Sequence, residues 1–329
     1  MRRRATDPAE FGRVAVLMGG WSSEREVSLW SGRKVLEALC ANGVDAHGAD
    51  ADKARILHLG EEGFVRAFNV LHGTGGEDGT VQAVLDVQGI AYPGCGVLAS
   101  ALAMDKLQTK RVWQAVDLPT PAYRALPDVG AAQAAGDAMG YPFIVKPTAD
   151  GSSVGVTKVH AQAEIEAAFV AARGANTQTP AQPPREVMAE AFVAGGEYTC
   201  AVLDGEALPL IRIEPDGEFY DYNAKYLSDN TRYLCPVDLD PQHEIDLREL
   251  CLKAWHALGG HGWGRVDFML DAGGQPWLIE ANTVPGMTAH SLVPMAARAA
   301  GMDFQALCWA ILETSLDRST DARHRGGRR

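Results

Sequence analysis

Several common signatures are missing from this sequence, and each absence excludes a class of site. The six cysteines include no Cys-x-x-Cys pair and have no histidine pair nearby, so the spacing of a cysteine metal site is absent. No Gly-Lys dipeptide occurs in the chain, which excludes a Walker-type phosphate loop. The segment from Gly19 to Glu24 lacks the GxGxxG spacing of a dinucleotide-binding turn. We expect the cysteines to be buried thiols in a reducing cytoplasm.

Positive charge and long apolar runs are also scarce. The net formal charge of -12 argues against nucleic acid or an anionic membrane as a partner. The apolar run over residues 14–18 is too short for a signal-peptide core or a membrane span, although three arginines precede it. We therefore predict a cytoplasmic protein with a small-molecule partner. Residues 1–10 and 316–329 are predicted to be disordered tails.

The most informative stretch is a pair of alternating segments over residues 264–282. Val266, Phe268 and Leu270 alternate with Arg265, Asp267 and Met269, and a similar alternation follows after Gly273-Gly274. Two glycines between such segments predict a β-hairpin with a two-residue turn. That turn sets Asp267 opposite Glu280 and Arg265 opposite Asn282 on one face of the sheet.

Two carboxylates that face each other across a sheet repel unless a positive charge lies between them. A hard divalent cation bound by carboxylate and amide oxygens supplies that charge, which predicts a Mg²⁺ site at Asp267, Glu280 and Asn282. The alternative is that Arg265 neutralises the carboxylates on a solvated sheet face. The prediction depends on register, because a slip by one residue turns Glu280 to the other face.

Two glycine-rich loops follow strands in the first hundred residues. A strand over 14–18 leads through Gly19-Gly20 to a helix that we expect to begin with a capping box at Ser23. Glu24 in its first turn either complements the helix dipole or holds a substrate ammonium. A second strand runs into His72 and a loop with four glycines in residues 72–79, which suggests close backbone approach to a ligand.

The middle of the chain predicts a phosphate-binding hairpin. A strand that carries Lys146 is followed by a Gly/Ser tip over residues 150–153, whose backbone N–H groups are suited to folding over phosphates. Protein kinases have the glycine loop before the lysine, so this order excludes that family. A strand over 187–193 either offers backbone groups to adenine or is a plain connection. Residues 219–230 are polar and aromatic, which suggests a lid.

Together these segments resemble the D-alanine:D-alanine ligase family of ATP-grasp enzymes over roughly residues 12–315. The stretches that carry the resemblance are Gly19-Gly20, Ser23-Glu24-Arg25-Glu26, His72-Gly73, Met104-Asp105-Lys106, Val145-Lys146-Pro147, Gly151-Ser152-Ser153, Ala224-Lys225-Tyr226, Gly264-Arg265-Val266-Asp267, Glu280-Ala281-Asn282 and Ser291-Leu292. The resemblance implies an α/β chain: an N-terminal domain with an open parallel sheet over 11–96, then two α+β subdomains of the ATP-grasp fold over 97–189 and 190–315.

The resemblance also implies roles for individual residues. ATP would be bound by Lys106, Lys146, Ser152, Ser153, Glu190, Ala191, Val193, Glu197 and Lys225. Asp267, Glu280 and Asn282 would hold two Mg²⁺ ions, with Mn²⁺ as a substitute. The D-alanine sites would comprise Glu24, His72, Lys225, Arg265, Ser291 and Leu292. Arg265 and the Gly286 N–H would stabilise the oxyanion, and Tyr226 on the lid would link to Ser152 and Glu24.

The implied activity is ATP-dependent joining of two D-alanines through an acyl phosphate, with release of ADP and phosphate, for peptidoglycan precursor synthesis. A homodimer is the family expectation. Two alternatives remain: a related ligase whose second substrate is D-lactate or D-serine, and a catalytically silent ATP-binding module. Asn223 stands where many relatives carry Glu, and Phe192 replaces a frequent Trp beside the adenine.

Overall fold

The protein is described by a computed structural model that covers residues 4–149, 151, 154–174, 185–215, 231–288 and 291–317. Within these residues the strands form three sheets, of three, four and six strands. The sheets occupy three successive regions of the chain, but one strand of the four-stranded sheet, Val187–Ala191, crosses the predicted boundary between residues 189 and 190. The predicted domain boundaries stay a prediction. None of the described helices combines the length and apolar character that crossing a membrane requires.

The N-terminal region is a parallel sheet with helices. Its elements are β1 (Val14–Met18), α1 (Arg25–Ala41), β2 (Ala46–Asp50), β3 (Arg66–Asn69) and α2 (Thr80–Gln88), with short 3-10 turns at Pro8–Phe11 and Arg55–His58. The strand order is β2-β1-β3, and both pairings are parallel. All five residues of β1 are buried, as expected for a central parallel strand. The chain leaves β1 and β3 at the same edge, which brings both glycine-rich loops to one place.

The capping box predicted for α1 is wrong. The helix begins at Arg25, its N-cap is Glu24, and no side chain caps it. The hydroxyl of Ser22 instead accepts the Glu24 N–H at 3.1 Å. A local serine turn therefore precedes the helix, and the Glu24 side chain does not cap it.

The central region is an antiparallel sheet with two helices on one face. Its elements are α3 (Val97–Met104), α4 (Lys106–Ala115), β4 (Tyr123–Leu126), α5 (Val129–Met139), β5 (Phe143–Pro147), β6 (Thr157–Val159), a 3-10 turn (Gln162–Glu164), α6 (Ile165–Arg173) and β7 (Val187–Ala191). The strand order is β4-β7-β5-β6. Helices α5 and α6 bury apolar residues against this sheet. Helices α3 and α4 instead pack with the third region, where the indole of Trp113 donates to the Ala254 carbonyl at 2.9 Å.

The C-terminal region contains the largest sheet. Its elements are β8 (Gly195–Leu203), β9 (Glu206–Ala207), β10 (Ile211–Glu214), β11 (Arg232–Leu234), α7 (Pro241–Ala257), β12 (Trp263–Asp271), β13 (Pro276–Asn282), α8 (Leu292–Ala299) and α9 (Phe304–Glu313). The order is β11-β10-β8-β12-β13, with β9 paired to β8. Helices α8 and α9 share a buried cluster with α1 and β1, so the last helices close against the N-terminal region.

The N-terminal tail predicted over residues 1–10 is wrong for residues 4–10. The carboxylate of Glu313 accepts the backbone N–H groups of Arg4 and Ala5, both at 2.9 Å. Phe11 then packs edge-on against Trp309, with ring centroids 4.9 Å apart. Leu316 and Asp317 of the predicted C-terminal tail are also described, and residues 1–3 and 318–329 lie outside the described part. All six cysteines are described, and none of them is in a disulfide.

Candidate active site

The hairpin of β12 and β13 has a turn that differs from the predicted one. The Gly274 N–H donates to the Asp271 carbonyl at 2.9 Å, and the Asp271 N–H donates to the Gln275 carbonyl at 3.1 Å. The turn therefore has three residues, with Gly274 at a φ of 78° that favours glycine. The prediction of a two-residue turn at Gly273-Gly274 is wrong.

A β-bulge compensates for the longer turn. Phe268 pairs with Leu278, whereas Asp267 pairs with Glu280, so Ile279 is an extra residue on β13. Without this bulge the three-residue turn would set Glu280 opposite Val266. With it, the predicted pairs Asp267–Glu280 and Arg265–Asn282 are confirmed.

Each carboxylate of the facing pair has a cationic partner. Arg265 donates to Asp267 through two bonds of 2.8 and 2.7 Å, and Thr199 donates to the same carboxylate at 2.6 Å. The Lys106 ammonium lies 3.1 Å from a Glu280 oxygen. The alternative role for Arg265, neutralising a carboxylate, is therefore present at Asp267.

The donor set still fits a hard cation. Asp267, Glu280 and Asn282 bring two carboxylates and an amide oxygen to neighbouring positions of one hairpin, and such oxygens are the ligands that Mg²⁺ prefers. Across the described residues, no group of three His, Cys, Asp or Glu side chains is placed to hold a metal. The magnesium site stays a prediction.

A cavity of about 390 Å³ lies between the four-stranded and six-stranded sheets. Its size is within the range of small-molecule sites. Apolar walls come from Ile144, Val154, Val156, Phe192, Met269 and Ile279. The structure also brings to this cavity the predicted ATP and metal residues Lys106, Lys146, Glu190, Ala191, Val193, Glu197, Asp267 and Glu280. The bulge helps to form the cavity wall. Consecutive residues of a regular strand point to opposite faces, but Ile279 and Glu280 at the bulge both line the cavity.

Helix α4 presents Lys106 to this cavity from its first residue. The N-cap Asp105 accepts the N–H groups of Leu107 and Gln108 at 2.9 and 3.1 Å. The backbone N–H of Lys106 donates to the Thr148 carbonyl at 2.8 Å. The start of the helix is thus fixed to the end of β5, the strand that carries Lys146.

Lys110, one turn further along α4, is a site residue that the sequence did not predict. Its ammonium lies 2.5 Å from one Glu190 oxygen, and the Lys146 ammonium lies 2.7 Å from the other. Lys110 also donates to Thr120 at 2.6 Å. The sequence does carry a signal for it, because Lys110 lies on the buried stripe of α4 between Leu107 and Trp113, where a charge needs a partner.

Burial and neighbouring charges both shift the pKa values of Lys110 and Glu190. Burial lowers the pKa of Lys110 to about 8, although the Glu190 carboxylate works to raise it. Burial works to raise the pKa of Glu190, but Lys110 and Lys146 outweigh it and hold that pKa below its ordinary value. Glu190 is therefore an anion in the wall of the cavity.

Glu24 lies between two glycine loops. A Cβ atom added at Gly73 would lie 2.7 Å from the Glu24 carboxylate, and one added at Gly151 would lie 2.9 Å from it. A side chain at either glycine would have to displace the Glu24 carboxylate. Gly151 of the predicted phosphate loop is thus brought close to Glu24. Ser152, Ser153, Lys225 and Tyr226 lie outside the described residues, and so does the link of Tyr226 to Ser152 and Glu24.

His72 is buried, and both of its ring nitrogens have protein partners. Nδ1 lies 3.0 Å from the Val284 carbonyl oxygen, and Nε2 lies 3.1 Å from the Ser31 hydroxyl. Burial works to lower the pKa of His72, but the Glu77 carboxylate 3.6 Å away, together with Glu24 and the Val284 carbonyl, outweighs it and raises that pKa. These contacts favour a positioning role, and the direct substrate contact predicted for His72 stays a prediction.

Gly286, Ser291 and Leu292 lie together where the chain enters α8. A Cβ atom at Gly286 would lie 2.8 Å from the Ser291 hydroxyl, which accepts the Thr288 N–H at 2.9 Å. Ser291 is the N-cap of α8 and Leu292 its first residue. The N–H groups of a helix start are suited to binding a carboxylate.

Several proteins similar to this chain are named D-alanine–D-alanine ligases. A family model described as D-ala D-ala ligase C-terminus matches residues 112–313. The D-alanine–D-alanine ligase of Stutzerimonas stutzeri (strain A1501) is 54% identical over 311 residues, which are 94% of this chain and 96% of that protein.

Solved structures of D-alanine–D-alanine ligases are also similar to this chain. The crystal structure of the D-alanine–D-alanine ligase from Bacillus anthracis has a TM-score of 0.80 at 34% identity, covering 94% of this chain and 99% of that one. The ligase from the same organism complexed with ATP has a TM-score of 0.76 at 29% identity, covering 96% and 99%. This chain belongs to the D-alanine–D-alanine ligase family and has the ATP-grasp fold.

Proposed function

We propose that this protein joins two molecules of D-alanine to D-alanyl-D-alanine, using ATP and releasing ADP and phosphate. The observation that carries the proposal is that Lys106, Lys146, Asp267 and Glu280 line one and the same cavity. Lysines for phosphates and carboxylates for a cation meet there, between two sheets, as phosphoryl transfer needs. The product would serve peptidoglycan precursor synthesis.

In the first step an oxygen of the first D-alanine carboxylate attacks the γ-phosphorus of ATP. The bond from that phosphorus to the β–γ bridging oxygen breaks, and ADP and an acyl phosphate result. Lys106 and Lys146 offset the charge of the phosphates. Asp267, Glu280 and Asn282 are the residues that would hold Mg²⁺, two ions on the family pattern, and the metal would neutralise phosphate charge when bound.

In the second step the amine of the second D-alanine attacks the acyl carbon. The amine loses a proton, the tetrahedral centre collapses, and inorganic phosphate leaves with the electrons of the C–O bond. Arg265 and the Gly286 N–H are assigned to the oxyanion, and Ser291 with the Leu292 N–H to the carboxylate of the second substrate. Glu24 is assigned to the first ammonium.

The adenine is assigned to the apolar part of the cavity. Ile144, Phe192 and Met269 offer walls for a flat base, and Glu190 offers an anionic acceptor for the 6-amino group. Because Lys110 and Lys146 keep Glu190 ionised, the carboxylate only accepts hydrogen bonds. An anionic acceptor favours adenine over guanine, whose 6-oxo group it would repel. Backbone groups of Ala191 and Val193 and the side chain of Glu197 complete the proposed nucleotide contacts.

A cytoplasmic homodimer is part of the same proposal, in keeping with the substrates ATP and D-alanine. Ligation to D-lactate or D-serine is not favoured, since a relative about half identical over nearly the whole chain is named a D-alanine–D-alanine ligase. A silent ATP-binding module is not favoured either, because the described residues keep both cavity lysines and both carboxylates.

The decisive experiment measures phosphate release and product formation together. Purified protein with ATP and Mg²⁺ should release phosphate with D-alanine and not with L-alanine, and chromatography should identify the dipeptide. Adding D-lactate or D-serine in competition tests the alternatives. Absence of D-alanine-dependent phosphate release would refute the proposal. A mixed ester or D-alanyl-D-serine as the main product would show that the second substrate is D-lactate or D-serine instead.

A further inference from the structure

The inward face of helix α1 carries an unusual polar stripe. Glu24, Ser28 and Ser31 are spaced by four and three residues, so they lie on one side of the helix. Both serines are completely buried. Ser28 serves the N-terminal region alone: its hydroxyl accepts the Gly19 N–H at 2.9 Å and donates to the Val70 carbonyl at 2.6 Å.

Ser31 contacts the C-terminal region instead. Its hydroxyl accepts the backbone N–H of Met287 at 3.2 Å and lies 3.1 Å from the Nε2 atom of His72. The other ring nitrogen of His72 lies 3.0 Å from the Val284 carbonyl oxygen. Ser31 and His72 therefore hold the two ends of one short segment, residues 284–287, whichever of them donates the hydrogen bond between them.

This segment needs such support because it has no regular structure. The described residues 283–288 belong to no helix or strand, and they connect β13 with α8. Val284 and Met287 bury their side chains, which holds the segment in place. Burial is not directional, however, whereas hydrogen bonds help to fix the direction in which a peptide N–H points.

Gly286 lies between the two anchored residues. An N–H group that stabilises an oxyanion must be held within a fraction of an ångström of the position where charge develops. We propose that Ser31 is a positioning residue, which acts through Met287 and His72 to aim the Gly286 N–H at the tetrahedral centre of the second step. This inference rests on the proposed function, specifically on the oxyanion role of Gly286.

The contacts of Ser31 also connect residues 284–287 with the proposed site of the first substrate. Helix α1 carries Glu24 at its N-cap and Ser31 two turns later. Glu24, which is assigned to the first ammonium, and Ser31, which supports residues 284–287, are therefore on one rigid element. Loss of the Ser31 hydroxyl should leave ATP binding and phosphoryl transfer intact. It should slow only the attack of the second amine.

The test compares Ser31→Ala with Ser28→Ala, a matched variant on the same helix that removes an equally buried hydroxyl without contact to residues 284–287. We expect Ser31→Ala to lower kcat for dipeptide synthesis by between about tenfold and a hundredfold, with KM for ATP changed less than about twofold. The ratio of ADP released to dipeptide formed should rise above one, because the acyl phosphate waits longer and hydrolyses. Ser28→Ala should keep a ratio of one.

The ratio separates positioning from stability, since partial unfolding lowers both products equally. A Ser31→Ala variant whose kcat and ratio match those of Ser28→Ala would overturn the inference. If Ser31→Ala does not fold, Ser31→Cys gives the same test, because a thiol fills the site but is a poor hydrogen-bond acceptor; a ratio of one would then overturn it. Failure of the proposed function is recognised separately, as absence of dipeptide from the wild-type protein.

Discussion

The ammonium of Lys110 lies 2.5 Å from the carboxylate of Glu190 at a site where the two side chains are 0% and 5% exposed. With Lys146 on the other oxygen, one buried carboxylate is shared by two lysines. Removing one partner from a buried ion pair leaves a charge that neither water nor another group fully compensates. This arrangement makes Lys110 a strong candidate for mutation.

Replacing Lys110 by Met should destabilise the protein by about 3 kcal/mol, because Glu190 keeps only one cationic partner in a buried site. Chemical denaturation measures the loss. The control is Lys34→Met, since Lys34 pairs with Glu37 on the surface and its loss should change stability little. Equal effects of the two substitutions would contradict the importance of the buried pair.

The lowered pKa of Lys110 gives a pH-dependent contribution to stability. In the native protein Lys110 releases its proton near pH 8, whereas in the unfolded chain it does so near the ordinary value of 10.5. Between these values the unfolded chain binds more protons, so the contribution of this group to native stability rises with pH. The free energy of unfolding of wild type minus that of Lys110→Met should therefore increase from pH 8 to pH 10.5, measured without Mg²⁺. A difference that falls over this range would show that the pKa of Lys110 is not lowered.

Glu280→Gln should abolish turnover while the fold survives. The substitution removes one charged oxygen from the predicted metal set, and also the partner of Lys106. Mg²⁺ added with a non-hydrolysable ATP analogue should raise the melting temperature of wild type but not that of the variant. Near-normal dipeptide synthesis by the variant would remove Glu280 from the metal site.

Glu24→Gln should weaken D-alanine binding by at least about tenfold and ATP binding much less, because only D-alanine loses a charge-assisted hydrogen bond. Glu26→Gln is the matched control: Glu26 is also in the first turn of α1 but is exposed. KM values for the two substrates distinguish the cases. Equal losses for both substrates, or equal effects of both variants, would show that Glu24 only supports the helix terminus.

Much of the site was predictable because it is built from short-range patterns. Alternation along β12 indicated which of its side chains share a face, and glycines marked the loops that come close to Glu24. The facing pair Asp267 and Glu280 was predicted correctly from an incorrect turn, because the turn has one residue more than expected and the bulge at Ile279 restores the pairing. Neither the turn length nor the bulge was evident from the two glycines alone.

The sequence by itself determined the order of strands, loops and charged residues, since these depend on neighbours along the chain. Only the tertiary structure decided which polar groups are buried together: the Lys110 ammonium with the Glu190 carboxylate, the Ser31 hydroxyl with the Met287 N–H, and the Ala5 N–H with the Glu313 carboxylate. The residues of each pair are far apart in sequence, and no local periodicity relates them. A buried polar group requires a partner, but the partner is supplied by whichever distant element packs against it, and that packing is a property of the whole fold.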